Sequence, residues 1–153
     1  YEIGVRLVGS EMCIRDRVLA EGMPDSKGDD FEKHIDPTGV ITIKTETVKC
    51  QTFDVGVPAK VKLLDVVTLE ESPRLGCGIL EIDHSTYPWT LTYDEFYYVV
   101  EGILDIVVEG RHNLGYQGDI LHIPKGTSIC FSSPETCRAV YFTYPADWEN
   151  AEI

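Results

Sequence analysis

Between Trp89 and Tyr97 the chain places Tyr93, Asp94 and Glu95 in close succession. A carboxyl group set among aromatic rings and hydroxyls suits two kinds of chemistry. It can move a proton when its surroundings bring its pKa near the working pH. It can also act as one of the one or two carboxylates that Mg²⁺ requires beside substrate phosphates, a role open to both Glu95 and Asp94. Further along, Lys125 stands between Pro124 and Gly126, with Thr127 and Ser128 following. A lysine in such a turn can meet phosphate oxygens; the alternative is a plain type I or II turn with an exposed lysine. The candidate catalytic groups are therefore Glu95, Tyr93 and Lys125, and the candidate substrate contacts are Trp89, Asp94, Tyr97 and Ser128. Tyr93 would give its hydroxyl to Glu95 or to a bound carboxylate, and Trp89 would line a cavity, although aromatic side chains also serve simply as core packing.

These residues need strands to hold them. From Gly39 onward the chain reads as all-β, in short apolar-polar alternations rich in β-branched residues and broken by Gly and Pro. Strands are expected over Val40 to Lys49, Val61 to Val67, Gly78 to Asp83, Phe96 to Val100, Leu104 to Val108, Asp119 to Ile123, Ser128 to Phe131 and Arg138 to Tyr144, with a hairpin around Glu101-Gly102. Many short strands with frequent turns imply a sandwich or barrel. Alternation puts Glu95, Tyr97 and Val99 on one face. A carboxyl facing the interior should have a raised pKa, which makes Glu95 either a functional group or a carboxylate held by hydrogen bonds.

The 153 residues suit one domain, with residues 39–150 as the barrel and residues 1–38 as an irregular arm. The run VGSEMCIRDR within residues 1–17 resembles translated sequencing-adapter read-through and is set aside, a genuine arm being the alternative. A weak helical stretch is expected around Asp29–His34. Acidic residues outnumber basic ones, 26 to 13, for a net charge of −13. That argues against nucleic acid or an anionic membrane as partner, and an anionic substrate would need a site that overcomes this field. The five cysteines, Cys13, Cys50, Cys77, Cys130 and Cys137, form no CxxC pair. With no apolar run of membrane length, this pattern fits a cytoplasmic protein with reduced thiols. Cys77 and Cys130 read as buried packing residues. No GxxxxGK[ST] loop is present, so any nucleotide site is not of the P-loop kind.

Two stretches, WTLTYDEFYYVVEGILDIVVEG (89–110) and GDILHIPKGTSICFSS (118–133), resemble the signature motifs of the cupin family, and so imply a jelly-roll β-barrel. Glu95 and Gly102 match the first motif; Gly118, Pro124 and Gly126 match the second. The metal-binding histidines do not match. The first pair falls on Trp89 and Leu91 with the shorter spacing or on Pro88 and Thr90 with the longer, and the last falls on Ile129. His84, His112 and His122 lie elsewhere, so Glu95 alone remains of the usual ligands. One carboxylate cannot hold a transition metal tightly.

The segments TYPWTLTYDEFYYVVEG, GDILHIPKGTSICFS and VYFTYPADW, with VKCQTFD and LDVVTLEESPRLGCGILEI upstream, further resemble the C-terminal cupin domain of the EutQ family of ethanolamine-utilisation proteins. That resemblance covers about Asp30 to Asn150. It departs at Tyr97, where an acidic residue is frequent, and at Cys130, where a histidine occurs in relatives. The family's longer N-terminal region is expected to be absent or truncated. The resemblance implies acetate kinase activity with ATP and Mg²⁺ in bacterial ethanolamine breakdown, association with a microcompartment shell or other ethanolamine-utilisation proteins, and a homodimer. It equally admits a non-catalytic binding or assembly module. The end segment Tyr144–Trp148 is expected to staple the last strand to the barrel or to a neighbouring subunit.

Overall fold

The computed structural model describes residues 31–152. The chain divides into two compact units between Lys49 and Cys50. In the first, β1 (Lys33–Ile35) and β2 (Ile41–Ile43) pair antiparallel, with Lys33 opposite Ile43. Two expectations are corrected here. The described end of the stretch read as helical, Lys33 and His34, is strand; Asp29 and Asp30 lie outside the described residues. The strand expected over Val40 to Lys49 stops at Ile43 and gives way to a 3₁₀ turn at Thr45–Thr47. The Thr47 hydroxyl donates to the Lys44 carbonyl at 2.7 Å and accepts the Glu32 N–H at 2.9 Å. Such local side-chain bonds compete with a strand ladder.

The second unit is antiparallel throughout and holds β3 (Gln51–Thr52), β4 (Val61–Asp65), β5 (Gly76–Thr90), β6 (Asp94–Val108), β7 (Arg111–Tyr116), β8 (Ile120–Ile123) and β9 (Ser128–Tyr144). The hydrogen-bonded order is β3-β4-β5-β9-β6-β7, with β8 also pairing with β6. Three strands are long: β5 and β6 have 15 residues each and β9 has 17. At roughly 3.3 Å per residue a straight strand of that length would run about 50 Å, well beyond a domain of this size. All three therefore bend. β6 turns at Gly102 (φ +80°), β5 at His84 (φ +46°), and β9 at a break in register between Ser133 and Thr136. Such irregularities bend a strand and sharpen its twist. The bends fold one sheet over on itself as a jelly roll, the cupin architecture.

Gly102 has the positive φ expected of it, but the expected hairpin is not there: β6 runs straight through the bend. The β6–β7 turn lies instead at Glu109-Gly110, both with positive φ (51° and 77°), the backbone that a two-residue hairpin needs. Inside the fold, Leu80, Ile82, Tyr97, Val99, Leu104, Ile106, Phe131, Cys137, Ala139 and Tyr141 form the core. Cys77 and Cys130 are only half-buried, and Cys137 is the buried thiol. The pleat explains it: β9 turns Phe131 inward, so its neighbour Cys130 faces out, and Cys77 pairs with the exposed Phe142. Cys13 lies outside the described residues.

A Cβ added at Gly102 would stand 1.9 Å from the Thr136 carbonyl oxygen. Together with the positive φ, the expected cost of Gly102→Ala is about 3 kcal/mol or more. Urea unfolding of the purified variant checks this; a loss below about 1 kcal/mol would show that the bend tolerates a side chain.

Candidate functional site

β6 carries two buried carboxyl groups that are treated differently. Asp105, 5% exposed, meets His112 Nδ1 at 2.6 Å and accepts the Asn113 N–H at 3.2 Å. Glu95, 3% exposed, leaves its Oε1 with no hydrogen-bond partner. It points into a cavity of about 20 Å³ lined by Phe53, Leu63, Leu80, Tyr87, Trp89, Tyr93, Tyr97, Phe131, Tyr141 and Trp148. That is room for about one water molecule. A buried, unsatisfied polar atom costs on the order of 1–3 kcal/mol.

Alternation brings Glu95, Tyr97 and Val99 to the inner face as expected; all three are buried. Trp89 sits opposite Ile129 across β5 and β9 and lines the cavity, while Leu91 is fully buried. Pro88 and Thr90 are exposed. Of the two spacings, the shorter one therefore falls on the inward-facing residues, Trp89 and Leu91. Ile129 is buried in the same core without lining the cavity. Trp89 Nε1 donates to the Tyr93 hydroxyl at 2.9 Å, which leaves the Tyr93 O–H proton to donate elsewhere.

The structure places the other three candidates outside this cavity. Asp94 is exposed and accepts the Lys125 N–H at 2.9 Å, fastening the Pro124–Thr127 turn. The Lys125 side chain is exposed, and Ser128 shares a 2.9 Å hydroxyl contact with Thr90 on the outer face. That turn is also tied to Leu91: Gly126 N–H donates to the Leu91 carbonyl at 2.8 Å, and Leu91 N–H to that of Thr127 at 3.0 Å.

Asp65 and Tyr141 escaped the sequence reading, which took Trp148 only as part of the closing staple. Asp65 Oδ1 accepts both the Tyr141 hydroxyl at 2.6 Å and Trp148 Nε1 at 3.0 Å. Trp148 packs its ring 5.6 Å from Tyr93, 6.1 Å from Phe53 and 6.3 Å from Tyr141. The end segment thus staples to its own barrel, with Trp148 as one wall of the cavity.

Burial pushes the Glu95 pKa up to about 8, helped by the nearby Asp65 carboxylate and opposed by a hydrogen bond with Tyr97. Burial and Glu95 likewise drive the phenols of Tyr87, Tyr93 and Tyr97 upward, so they stay neutral. A mostly protonated carboxyl in a one-water cavity does not fit Mg²⁺, which keeps several waters and phosphate oxygens around it. Among the described residues no group of three or more His, Cys, Asp or Glu could hold a metal ion. A larger concavity of about 540 Å³ lies over Lys60, Lys62, Glu81, Glu101 and Arg138. Its charges alternate across the strands, Lys62 beside Glu81, Glu81 beside Arg138 and Arg138 beside Glu101, and Arg138 is ion-paired to Glu81. Opposed charges of this kind largely satisfy one another.

The raised pKa carries a stability consequence. Between about pH 4.5 and 8 the folded chain keeps a proton on Glu95 that the unfolded chain has released. Stability should therefore fall as pH rises through this window, by up to about 1.4 kcal/mol per pH unit. Glu95→Gln removes that slope, so its Tm should vary less with pH between 5 and 8 than that of the parent chain. Parallel Tm–pH curves for the two would show that Glu95 titrates normally.

The family model for the ethanolamine utilisation protein EutQ matches residues 10–150. The acetate kinase EutQ of Clostridioides difficile (strain 630) is 47% identical over 125 residues, spanning 79% of this chain and 80% of that protein. Its namesake from Salmonella typhimurium is 38% identical over 112 residues, 73% of this chain but 49% of that protein, so the chain spans about half the length of that relative. The solved structure of the Clostridium difficile EutQ protein aligns at 47% identity with a TM-score of 0.76, over 78% of this chain and 90% of that one. The Schizosaccharomyces pombe Cnp3 cupin domain is 14% identical, has a TM-score of 0.56, covers 71% of this chain and 77% of its own, and shares the fold alone. The chain belongs to the EutQ family of ethanolamine utilisation proteins.

Proposed function

We propose that this chain is an acetate kinase of bacterial ethanolamine utilisation, moving phosphate between ATP and acetate at the mouth of the Glu95 cavity. The relative named acetate kinase EutQ, 47% identical over most of both chains, supports this reading. The observation that carries the site is the Glu95 carboxyl, buried and unpartnered among aromatic walls. Glu95 and Tyr93 serve the acetate side as catalytic groups, with Trp89 and Tyr97 as walls of the pocket. Asp94 fastens the turn that carries Lys125, and the Lys125 ammonium and Ser128 would meet phosphate charge. Phosphoryl transfer rests on such positioning and charge neutralisation. Mg²⁺ would arrive with the nucleotide, since the Glu95 carboxyl does not suit it.

The tightness of the cavity favours a second reading, a non-catalytic binding or assembly module of the ethanolamine microcompartment. Partners on either reading are the shell or other ethanolamine-utilisation proteins. A homodimer is supported by exposed rings on the outer sheet face: Phe96, Tyr98, Phe142 and Tyr144 are 49, 45, 47 and 57% exposed. Phe142 lies directly across from Phe96. Trp148, buried in its own barrel, takes no part in that face. Among the described residues no helix is long and apolar enough to cross a membrane.

The kinase reading predicts acetyl phosphate formation from ATP, acetate and Mg²⁺ by the purified chain, trapped as the hydroxamate. Turnover should drop at least about 100-fold in Glu95→Gln, the usual range for losing a proton-handling group, and KM for ATP should rise in Lys125→Ala. Equal product from the parent and Glu95→Gln would leave the assembly module as the better reading.

A further inference from the structure

Eight of the eleven residues lining the Glu95 cavity stand on β4, β5, β6 and β9, where ladder hydrogen bonds fix their backbone. The other three, Phe53, Tyr93 and Trp148, are rings carried on connecting segments. Trp148 packs against both of the others, 6.1 Å from Phe53 and 5.6 Å from Tyr93. Phe53 is pinned through its backbone, whose N–H donates to the Val61 carbonyl at 3.0 Å. Tyr93 immediately precedes β6, and its hydroxyl accepts from Trp89 Nε1 at 2.9 Å. Trp148 lies beyond the end of β9, in the 3₁₀ turn Trp148–Asn150.

The segment that carries Trp148 is loosely tied. Among the described residues, the backbone hydrogen bonds of residues 145–151 close on the segment itself: Asn150 N–H to the Asp147 carbonyl and Ala151 N–H to that of Trp148, both at 3.3 Å. Side chains make its hydrogen bonds to the barrel. At the near end the Thr143 hydroxyl donates to the Pro145 carbonyl at 3.0 Å. Gly76 gives that end its seat, since a Cβ there would stand 2.3 Å from Thr143 Oγ1 and 3.1 Å from the Ala146 carbonyl oxygen. At the far end Trp148 Nε1 donates to Asp65 Oδ1 at 3.0 Å. Asp65 is exposed, so water competes for that bond. Between the two ends stands Asp147, exposed and outside regular structure, with φ −85° and ψ 67°.

Beneath Trp148 lies Glu95, whose buried Oε1 has no partner. The closed arrangement thus leaves a polar atom dry, and water admitted past Trp148 satisfies it. That gain offsets part of the ring packing lost when the segment moves, which places this opening well below global unfolding in cost.

We propose that residues 145–150 form a strap hinged at Asp147, with Trp148 as its plug and Asp65 as its catch, and that the barrel interior is entered by way of this strap. The device concerns access alone and needs neither nucleotide nor substrate. It also answers to charge. The titratable groups facing Glu95 are Tyr87 from β5, Tyr93 from the loop before β6, Tyr97 on β6, Tyr141 from β9 and Asp65 at the end of β4; no basic side chain lines the cavity. The phenols are all pushed upward by burial, so Glu95 is the cavity group that changes charge. With the strap closed it keeps its proton up to about pH 8. With the strap open it is hydrated and returns to an ordinary carboxyl. The open form therefore binds fewer protons, and raising the pH from about 5 to 8 favours it.

The test is hydrogen exchange of the two indole N–H groups in the full ¹⁵N-labelled chain, followed by NMR, with Trp89→Phe fixing the assignment. The Trp148 indole should show a protection factor roughly 100-fold or more below those of the core amides of β9, and about 1 M urea should lower theirs while leaving its own unchanged. Asp65→Ala should lower the Trp148 protection about tenfold further, measured against the same core amides. Between pH 5 and 8 the protection should fall by about tenfold or more in the parent chain and stay within about twofold in Glu95→Gln. A Trp148 indole that exchanges in step with the core amides, with their urea dependence, opens only when the barrel unfolds and overturns the strap. Protection indifferent to Asp65→Ala overturns the catch, and a pH trend shared by Glu95→Gln overturns the link to the cavity. If Asp65→Ala does not fold, the exchange of the parent chain decides by itself.

Discussion

The constraint on which the rest depends is the length of β5, β6 and β9. Strands of 15 to 17 residues cannot lie straight within a domain of this size. Each must pass through a bend, and the bends must coincide, since these three strands are neighbours in the sheet. Gly102 meets Thr136 where β6 bends against β9, and His84 turns β5 near the same level, because Asp83 is paired with Thr136. Without a glycine there, the two long strands could not approach this closely. The enclosed interior, and with it the burial of Glu95, follows from that fold-over.

Burial then decides what the carboxyl can be. Asp105 shows that this same strand can bury an acid and satisfy it, through His112 and the Asn113 amide. Glu95 has the opposite surroundings: four tyrosines and two tryptophans among its cavity neighbours, and one oxygen without a partner. Desolvation outweighs the help from Tyr97, and the proton stays on well above the ordinary carboxyl range. The same rings that desolvate the carboxyl also keep the cavity small.

Much of this was legible in sequence because it is local. Alternation alone places Glu95, Tyr97 and Val99 on one face, and the spacing from Glu95 to Gly102 marks the positive φ. What the residues around Gly102 do not disclose is whether the chain reverses or continues. The answer depends on β9, whose Cys137 pairs with Gly102 across a long stretch of sequence. The Asp65 contacts were hidden for the same reason, since Tyr141 lies 76 and Trp148 83 residues away. Asp65 ends the short strand VKLLD and carries no motif. The turn around Lys125 is marked in sequence by Pro124 and Gly126, but its fastening to Asp94 and Leu91 joins distant segments and is not legible there.

The missing histidines and the raised carboxyl are one change seen from two sides. In a metal-binding barrel the glutamate's negative charge is balanced by the ion, and the imidazoles help to hold that ion. Here an indole and an aliphatic side chain, Trp89 and Leu91, stand at the first two positions, and Ile129 at the third. None of the three is a metal ligand, and Trp89, which lines the cavity with the other rings, helps to strip water from the carboxyl that remains. An acid so placed must find a new positive charge or keep its proton. The cavity lining supplies no basic side chain, so the proton is the counter-charge. A chain of net charge −13 thus carries inside its barrel a carboxyl whose burial keeps it mostly uncharged at neutral pH.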